Sequence, residues 1–233
     1  EQPDLTSATE RVLVRLGRAV PQWPGYPLPA PARADGGRGD DGGGRGDDGG
    51  GPRGVRRLML RGLFCGGTLC DEAMVLAAAS LGEVRSNIPL RPEWALDVAS
   101  IAGDPGSAHL MIDFGDDTLT RGRAHPMIDP SMRTRYLTDA IGDPRTGVVL
   151  LDVVLGYGAH PDPVADLLPV LARTDVPVVV SVIGARRDPQ DLDGSIARLR
   201  QAGASVFTSN AAAARYAVSL IAEPPGRDER ERS

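Results

Sequence analysis

The stretch Arg61-Gly62-Leu63-Phe64-Cys65-Gly66-Gly67-Thr68-Leu69-Cys70-Asp71-Glu72-Ala73 joins an apolar run to an alanine-rich one. Leu58 to Phe64 reads as a buried strand. The run breaks at the glycine pair, and Thr68 then opens a segment, Ala73 to Leu81, that reads as a helix. Strand, glycine turn and helix start together can make an anion site. The first helical N–H groups have no partner inside the helix, and the helix dipole places partial positive charge at the same point. Gly66 and Gly67 admit a close ligand and a positive φ. Thr68 can cap the helix and offer its hydroxyl. Many α/β domains use glycine here only for a tight turn, so the stretch alone leaves both readings open.

Downstream, apolar runs alternate with helical patterns. Strands are expected at 57–64, 109–114, 147–154, 177–183 and 204–208. Helices are expected at 68–82, 130–141, 163–173, 191–202 and 210–222, with Pro130 at a first-turn position. Residues 84–108 read as irregular, with a short helix at 92–98. Continuous apolar strands alternating with helices imply a parallel sheet covered on both faces, with right-handed crossovers. About five such strands suit an α/β, flavodoxin-like, doubly wound domain. Ligands of such sheets sit beyond the carboxyl ends of the strands, near the switch in strand order.

Upstream, residues 4–20 read as an amphipathic helix with Leu5, Val12, Leu13, Leu16 and Val20 on one face. The chain begins at Glu1 rather than Met, so residues 1–20 read as the end of an upstream region. Residues 21–54 read as a disordered linker. A proline run comes first, then an imperfect Gly-Arg-Gly-Asp-Asp repeat with almost no apolar content to offset the entropy of ordering. The Arg-Gly-Asp triplets within it arise from composition. The domain proper is expected at 55–222, with a charged tail at 223–233.

The chain has 233 residues, 41% hydrophobic but only 4% aromatic, so its core must be built from Val, Leu, Ile and Ala. A net charge of −5 without a basic stripe argues against nucleic acid. Every basic residue of the Lys/Arg class is arginine, which excludes Schiff-base chemistry and a P-loop lysine from this sequence. Cys65 and Cys70 match neither a redox nor a zinc spacing, and no metal is expected. The sequence shows no apolar run of membrane-spanning length and no signal peptide, so a cytoplasmic protein with no membrane partner is expected.

The loops at the expected carboxyl edge supply Gly66, Gly67 and Thr68; Gly115, Asp116 and Asp117; Gly156, Tyr157, Gly158 and His160; Gly184, Arg186 and Arg187; and Ser209 and Asn210. Glycine turns facing helix starts, with arginines able to pair bidentately, make a cradle for phosphate or carboxylate. His125 and His160 each stand in an Ala-His-Pro sequence with an aspartate shortly after, Asp129 and Asp162. Each is either a general base or phosphoryl acceptor, or a turn residue whose ring packs or caps. His109 reads as structural. Asp113 and Asp152 end apolar strands and need partners, as loop-bracing acceptors or as site acids.

Arg61 to Ala73, Ile112-Asp113-Phe114-Gly115-Asp116-Asp117 and Gly122-Arg123-Ala124-His125-Pro126-Met127-Ile128-Asp129-Pro130 together resemble the FdrA family, which is similar to fused, divergent forms of succinyl-CoA synthetase. The resemblance covers roughly 55–222, corresponding to the carboxy-terminal CoA-ligase domain, and implies a flavodoxin-like fold. In succinyl-CoA synthetase a histidine in a Gly-His-Ala-Gly loop carries phosphate between two helix amino-termini. Here the matching region, Gly184 to Gln190, has no histidine, which turns the expectation away from nucleotide-driven ligation. The family's link to carbamoyl transfer implies a small anionic substrate, an acyl or carbamoyl phosphate, handled by carbamoyl transfer or CoA-ligase-type chemistry. Its phosphate is expected at Gly66, Gly67, Thr68, Gly115, Asp116, Gly156, Tyr157, Gly158 and Arg186. Arg123 or Arg186 would neutralise charge, and His125 would orient a leaving group or shuttle a proton. CoA would enter only through an upstream CoA-binding-type domain or a partner subunit. The alternative is a non-catalytic assembly domain of a succinyl-CoA synthetase-like complex.

Overall fold

The computed structural model describes residues 2–28, 59–97 and 108–222. Its centre is a seven-stranded sheet. The strands are β1 (Gly25–Tyr26), β2 (Met59–Phe64), β3 (Val84–Arg85), β4 (His109–Asp113), β5 (Thr146–Val154), β6 (Val178–Ile183) and β7 (Ser205–Phe207), in the spatial order β1-β7-β6-β5-β2-β4-β3. All pairings are parallel except β1 with β7. Without the two short strands β1 and β3, the five strands foreseen in the sequence run 2-1-3-4-5. This is the flavodoxin-like order, and its switch point falls between β2 and β5.

Strand side chains alternate between two apolar layers. Leu60, Phe64, Met111, Val148, Leu150 and Val179 face α2 (Gly67–Leu81) and the final helix, Asn210–Ser219. Leu63, Ile112, Val149, Leu151, Val153, Val180 and Val182 face the opposite layer, where Leu137, Leu171, Ile196 and Leu199 come from the covering helices. On the first face, Ala73 and Ala77 of α2 and Ala213, Ala214 and Ala217 of the final helix are buried. These small side chains let the two helices lie close to the sheet and to each other. With so few aromatics, the core gains its burial from close-packed aliphatic groups, each worth about 1.5–3 kcal/mol when fully buried.

The remaining helices are α1 (Leu5–Arg15), the one-turn α3 (Asp117–Thr120), α4 (Ser131–Gly142), α5 (Leu168–Leu171), α6 (Leu192–Gln201) and α7 (Asn210–Ser219). Three expectations are corrected. The helix expected over 163–173 is only Leu168–Leu171, and turns fill the preceding residues. Pro169 lies in its first turn, where a missing N–H is tolerated, and the same residue could not continue a helix begun at 163. The short helix expected over 92–98 is a 3-10 turn, Pro92–Trp94. The linker expected over 21–54 is not borne out as far as Leu28, because residues up to Leu28 pack on the domain. Pro24 O accepts the Thr208 N–H at 3.0 Å, Leu28 N donates to Ser205 Oγ at 2.9 Å, and the Tyr216 hydroxyl donates to Leu28 O. Gly25 passes so near the Phe207 ring that a Cβ there would come within 2.6 Å of it. Helix α1 is tied to the same face: Leu5 N donates to Glu72 Oε1 at 2.7 Å, and Thr6 Oγ1 lies 2.7 Å from Ser209 Oγ. The rest of the expected linker, 29–54, and the expected tail, 223–233, lie outside the described residues.

Arg61, within the opening stretch, has a structural place. It is 3% exposed on β2 and pairs with Asp143 at 3.2 Å. No helix among the described residues is long and apolar enough to cross a membrane.

Candidate functional site

The switch point is occupied by a carboxylate of the chain itself. Asp152, fully buried at the end of β5, accepts the Cys65 N–H at 2.8 Å and the Gly66 N–H at 3.0 Å. Its Oδ1 and its own carbonyl oxygen each take a bond from Arg133 Nη1 at 2.7 Å. Arg133 projects from α4 and is 3% exposed. Of the two readings open for Asp152, the loop-bracing acceptor is therefore realised. The carboxylate also fixes the turn: Gly66, expected to present its N–H to phosphate, has that N–H already engaged.

Helix α2 starts one residue earlier than expected. Gly66 is its N-cap, with φ −120° and ψ 112°, and no side chain caps it. The positive φ anticipated at Gly66 and Gly67 is absent there and appears instead at Gly156 (+138°) and Gly158 (+86°). Thr68 is the second helical residue rather than the cap, and its side chain is exposed. The first intrahelical bond runs from Cys70 N to Gly66 O. The N–H groups of Gly67, Thr68 and Leu69 consequently have no acceptor within the helix and no side-chain cap.

Asp113 faces these donors from the end of β4. It is 6% exposed, and its Oδ1 accepts the Gly115 N–H at 2.9 Å. Its Oδ2 accepts no hydrogen bond among the described residues and would lie 2.9 Å from a Cβ on Gly67. Asn87 holds the Asp113 backbone at both ends, accepting its N–H at 3.0 Å and donating to its carbonyl at 2.9 Å. Burial pushes the Asp113 carboxyl above its ordinary value. The Gly115 N–H opposes that shift, Asp152 and Asp116 add to it, and His125 opposes it. A carboxyl raised in this way weakens the fold once it is ionised. The penalty is full above its folded pKa and gone below the unfolded value of about 3.9. Asp113→Asn is therefore expected to unfold at higher urea than the parent at pH 7.5 and at the same urea at pH 3.5. A variant less stable at pH 7.5 would contradict this.

His125 joins the group. Its Nδ1 accepts the Met127 N–H at 3.2 Å, so the proton of the neutral ring sits on Nε2. Nε2 lies against Gly115, 2.6 Å from where a Cβ would stand. The loop holding His125 is joined to the loop after β5 by a bond from His160 N to Met127 O at 2.6 Å. His160 Nδ1 accepts the Asp162 N–H at 3.1 Å, and Asp162 is clamped by two bonds from Arg198, both at 2.9 Å. His109 is structural, its Nδ1 accepting from Leu60 N at 3.1 Å.

The structure thus gathers Gly66, Gly67, Thr68, Gly115 and His125 around the two carboxylates, and links the Gly156–Gly158 loop to them. Gln190 braces that loop: its Oε1 accepts from Gly156 N at 3.0 Å and its Nε2 donates to Gly156 O at 2.8 Å. Tyr157 is 90% exposed at the loop tip. Asp116 caps α3, accepting from Thr118 N at 2.9 Å. Arg123 reaches Met132 Sδ at 3.4 Å in a separate shallow pocket with Ala124, Pro126, Asp129 and Ser131. Arg186 lies in solvent, paired with Asp193 at 3.2 Å. Neither arginine contacts the glycine turn. Arg133, Asn87 and Gln190 were not among the residues singled out. Arg133 and Gln190 stand at or beside helix starts without an amphipathic role, and only the folded loops show what they hold. Burial and Asp152 push the Cys65 thiol well up, and burial does the same for Cys70, so neither is a thiolate nucleophile. Among the described residues no cluster of His, Cys, Asp and Glu could hold a metal ion.

A strand-glycine-helix turn at the switch point of a flavodoxin-like sheet defines a doubly wound α/β domain. The CoA-ligase family profile matches residues 63–220, and the chain belongs to that family. It is also similar to YahF of Escherichia coli (strain K12), a protein described as uncharacterized, with 36% identity over 161 residues. That match takes in 65% of this chain and 30% of YahF, so the chain spans about a third of that relative's length.

Proposed function

We propose that this chain is the CoA-ligase-type domain of an FdrA-like enzyme that handles an acyl or carbamoyl phosphate, with the phosphate held at the start of α2. The observation that carries this reading is the set of uncapped N–H groups at Gly67, Thr68 and Leu69, beside the switch point of the sheet. Aligned donors at a helix start favour an anion. The exposed Thr68 hydroxyl adds a further donor. His125, with its proton on Nε2, stands at the rim, where it would orient or protonate a leaving oxygen. Arg123 and Arg186 would have to leave their present partners to neutralise charge there. CoA, an upstream CoA-binding-type domain or a partner subunit would complete the site from outside the described residues. The exposed Tyr157 and Ile128, on the two linked loops, give such a partner an apolar foothold.

The test is Gly67→Val combined with Thr68→Ala. Valine fills the space in front of Asp113 Oδ2, and alanine removes the hydroxyl. Losing one oriented donor at an anion site costs on the order of 3 kcal/mol of transition-state stabilisation. The variant is expected to show no heat of binding with inorganic phosphate or carbamoyl phosphate at concentrations that saturate the parent, with an unchanged far-UV spectrum. Unaltered affinity for both compounds would refute the assignment.

A further inference from the structure

Asp113 is out of place in a simple anion cradle. Three helix-start donors are open, yet the side chain that lies against Gly67, which carries the first of them, is an acid. Its Oδ1 is occupied by the Gly115 N–H. Among the described residues its Oδ2 accepts no hydrogen bond, and the oxygen, at the open side of this 6% exposed residue, lies against Gly67, the first residue of α2. Asn87 holds the Asp113 backbone from both sides, so the strand end that carries the carboxyl is fixed in place.

A bare carboxylate at this position would repel a phosphate dianion. A single proton between the two oxygens turns that repulsion into a hydrogen bond. We propose that Asp113 is the proton slot of this site: one proton, shared between its Oδ2 and a phosphate oxygen, is taken up when a phosphate group binds at the start of α2. The ligand class is a phosphate ester or anhydride with an oxygen free to share that proton. This rests on the reading of α2 as the phosphate site and adds to it the protonation state of the complex.

The surroundings support the slot. From β5, Asp152 faces Asp113, but its charge is committed to Arg133 and to two backbone N–H groups. From the loop after β4 come Asp116 and the ring of His125. From the turn and α2 come the thiols of Cys65 and Cys70, both pushed up by burial. Among the described residues no arginine contacts Asp113 directly. Burial together with two neighbouring carboxylates favours its neutral form, and an arriving anion favours it further.

The experiment is titration of the full chain with inorganic phosphate at pH 8 and pH 9. The free phosphate is then largely the dianion, and an Asp113 carboxyl that is ionised in the free protein must take its proton from solvent. The parent is expected to lose affinity about tenfold between the two pH values. Asp113→Asn, whose amide can donate in place of the shared proton, is expected to bind with a Kd that does not change over that interval. The parent alone supplies a second readout: calorimetry at pH 8.5 in two buffers of different ionisation enthalpy is expected to show uptake of about one proton per phosphate. Equal pH slopes in parent and variant, or no proton uptake by the parent, would overturn the slot while leaving the phosphate site standing. A parent that binds no phosphate at either pH would overturn the site and the slot together.

Discussion

Asp152→Ala is expected to lower stability by about 3–5 kcal/mol, measured by urea denaturation at neutral pH. The residue is fully buried, and three of its partners lose their acceptor at once: the Cys65 N–H, the Gly66 N–H and the Arg133 guanidinium. Arg133 is the larger part of the loss, because at 3% exposure it becomes a buried charge without a counter-charge. The pair's net worth is smaller than the cost of breaking it. Arg133 meets Asp152 through Nη1 alone, not as a bidentate fork, and its Nε is buried with no partner among the described residues. Replacing both residues should therefore cost less than the sum of the single changes. The double variant Asp152→Asn, Arg133→Met keeps an acceptor for one of the turn's N–H groups and removes both charges. Its coupling is expected to be about 0.5–3 kcal/mol in favour of the double change. Strict additivity would mean that the ion pair and the glycine turn are held independently.

This arrangement explains why the opening stretch was legible as a place but not as a mechanism. A strand broken by two glycines and followed by an alanine-rich run is a local pattern, and local patterns fix where β2 ends and α2 begins. What fills the turn is decided by side chains from other elements: Asp152 from β5 and Arg133 from α4. The sequence shows that an aspartate ending an apolar strand needs partners. It does not show that two of them are N–H groups of the glycine turn itself. The long strands and their order follow from continuous apolar runs. The two-residue strands β1 and β3 carry no periodicity to read, and β1 forms only because Gly25 can pass over the Phe207 ring. Asn87 lies in a segment that reads as irregular, and it is irregular because its side chain, not its backbone, pairs with the end of β4. Arg123 and Arg186 show the limit of composition as a guide. Arginine in an edge loop resembles an anion ligand by composition, but solvent offers it other partners, and both have taken them.

Space at the three glycines nearest the site gives the second large effect. None of Gly66, Gly67 and Gly115 has positive φ, so alanine is conformationally allowed at each, and what decides the outcome is what a Cβ would meet. At Gly115 it would stand 2.7 Å from the Cys65 carbonyl and 2.6 Å from His125 Nε2. The histidine can turn away, but the carbonyl is backbone of the glycine turn, and moving it separates β2's exit from the loop after β4. Gly115→Ala is expected to cost about 1–3 kcal/mol, as overpacking does in a close-packed interior, and to release His125 from the rim. At Gly67 the nearest atom is Asp113 Oδ2 at 2.9 Å, a side-chain oxygen with no bond to hold it, and alanine also favours the helix by up to about 1 kcal/mol over glycine. Gly67→Ala should therefore be close to neutral for stability while filling the phosphate side of Asp113. At Gly66 the contact is 3.3 Å to Asp152 Oδ2, an oxygen pinned by the Gly66 N–H, so a smaller shift meets a stiffer neighbour. The expected order of destabilisation by alanine is Gly115 first, then Gly66, then Gly67, read from urea midpoints. The expected order of lost phosphate affinity differs, with Gly67 losing affinity without losing stability. If stability and affinity instead fell together across the three variants, the turn would be a folding element alone and not a ligand-facing one.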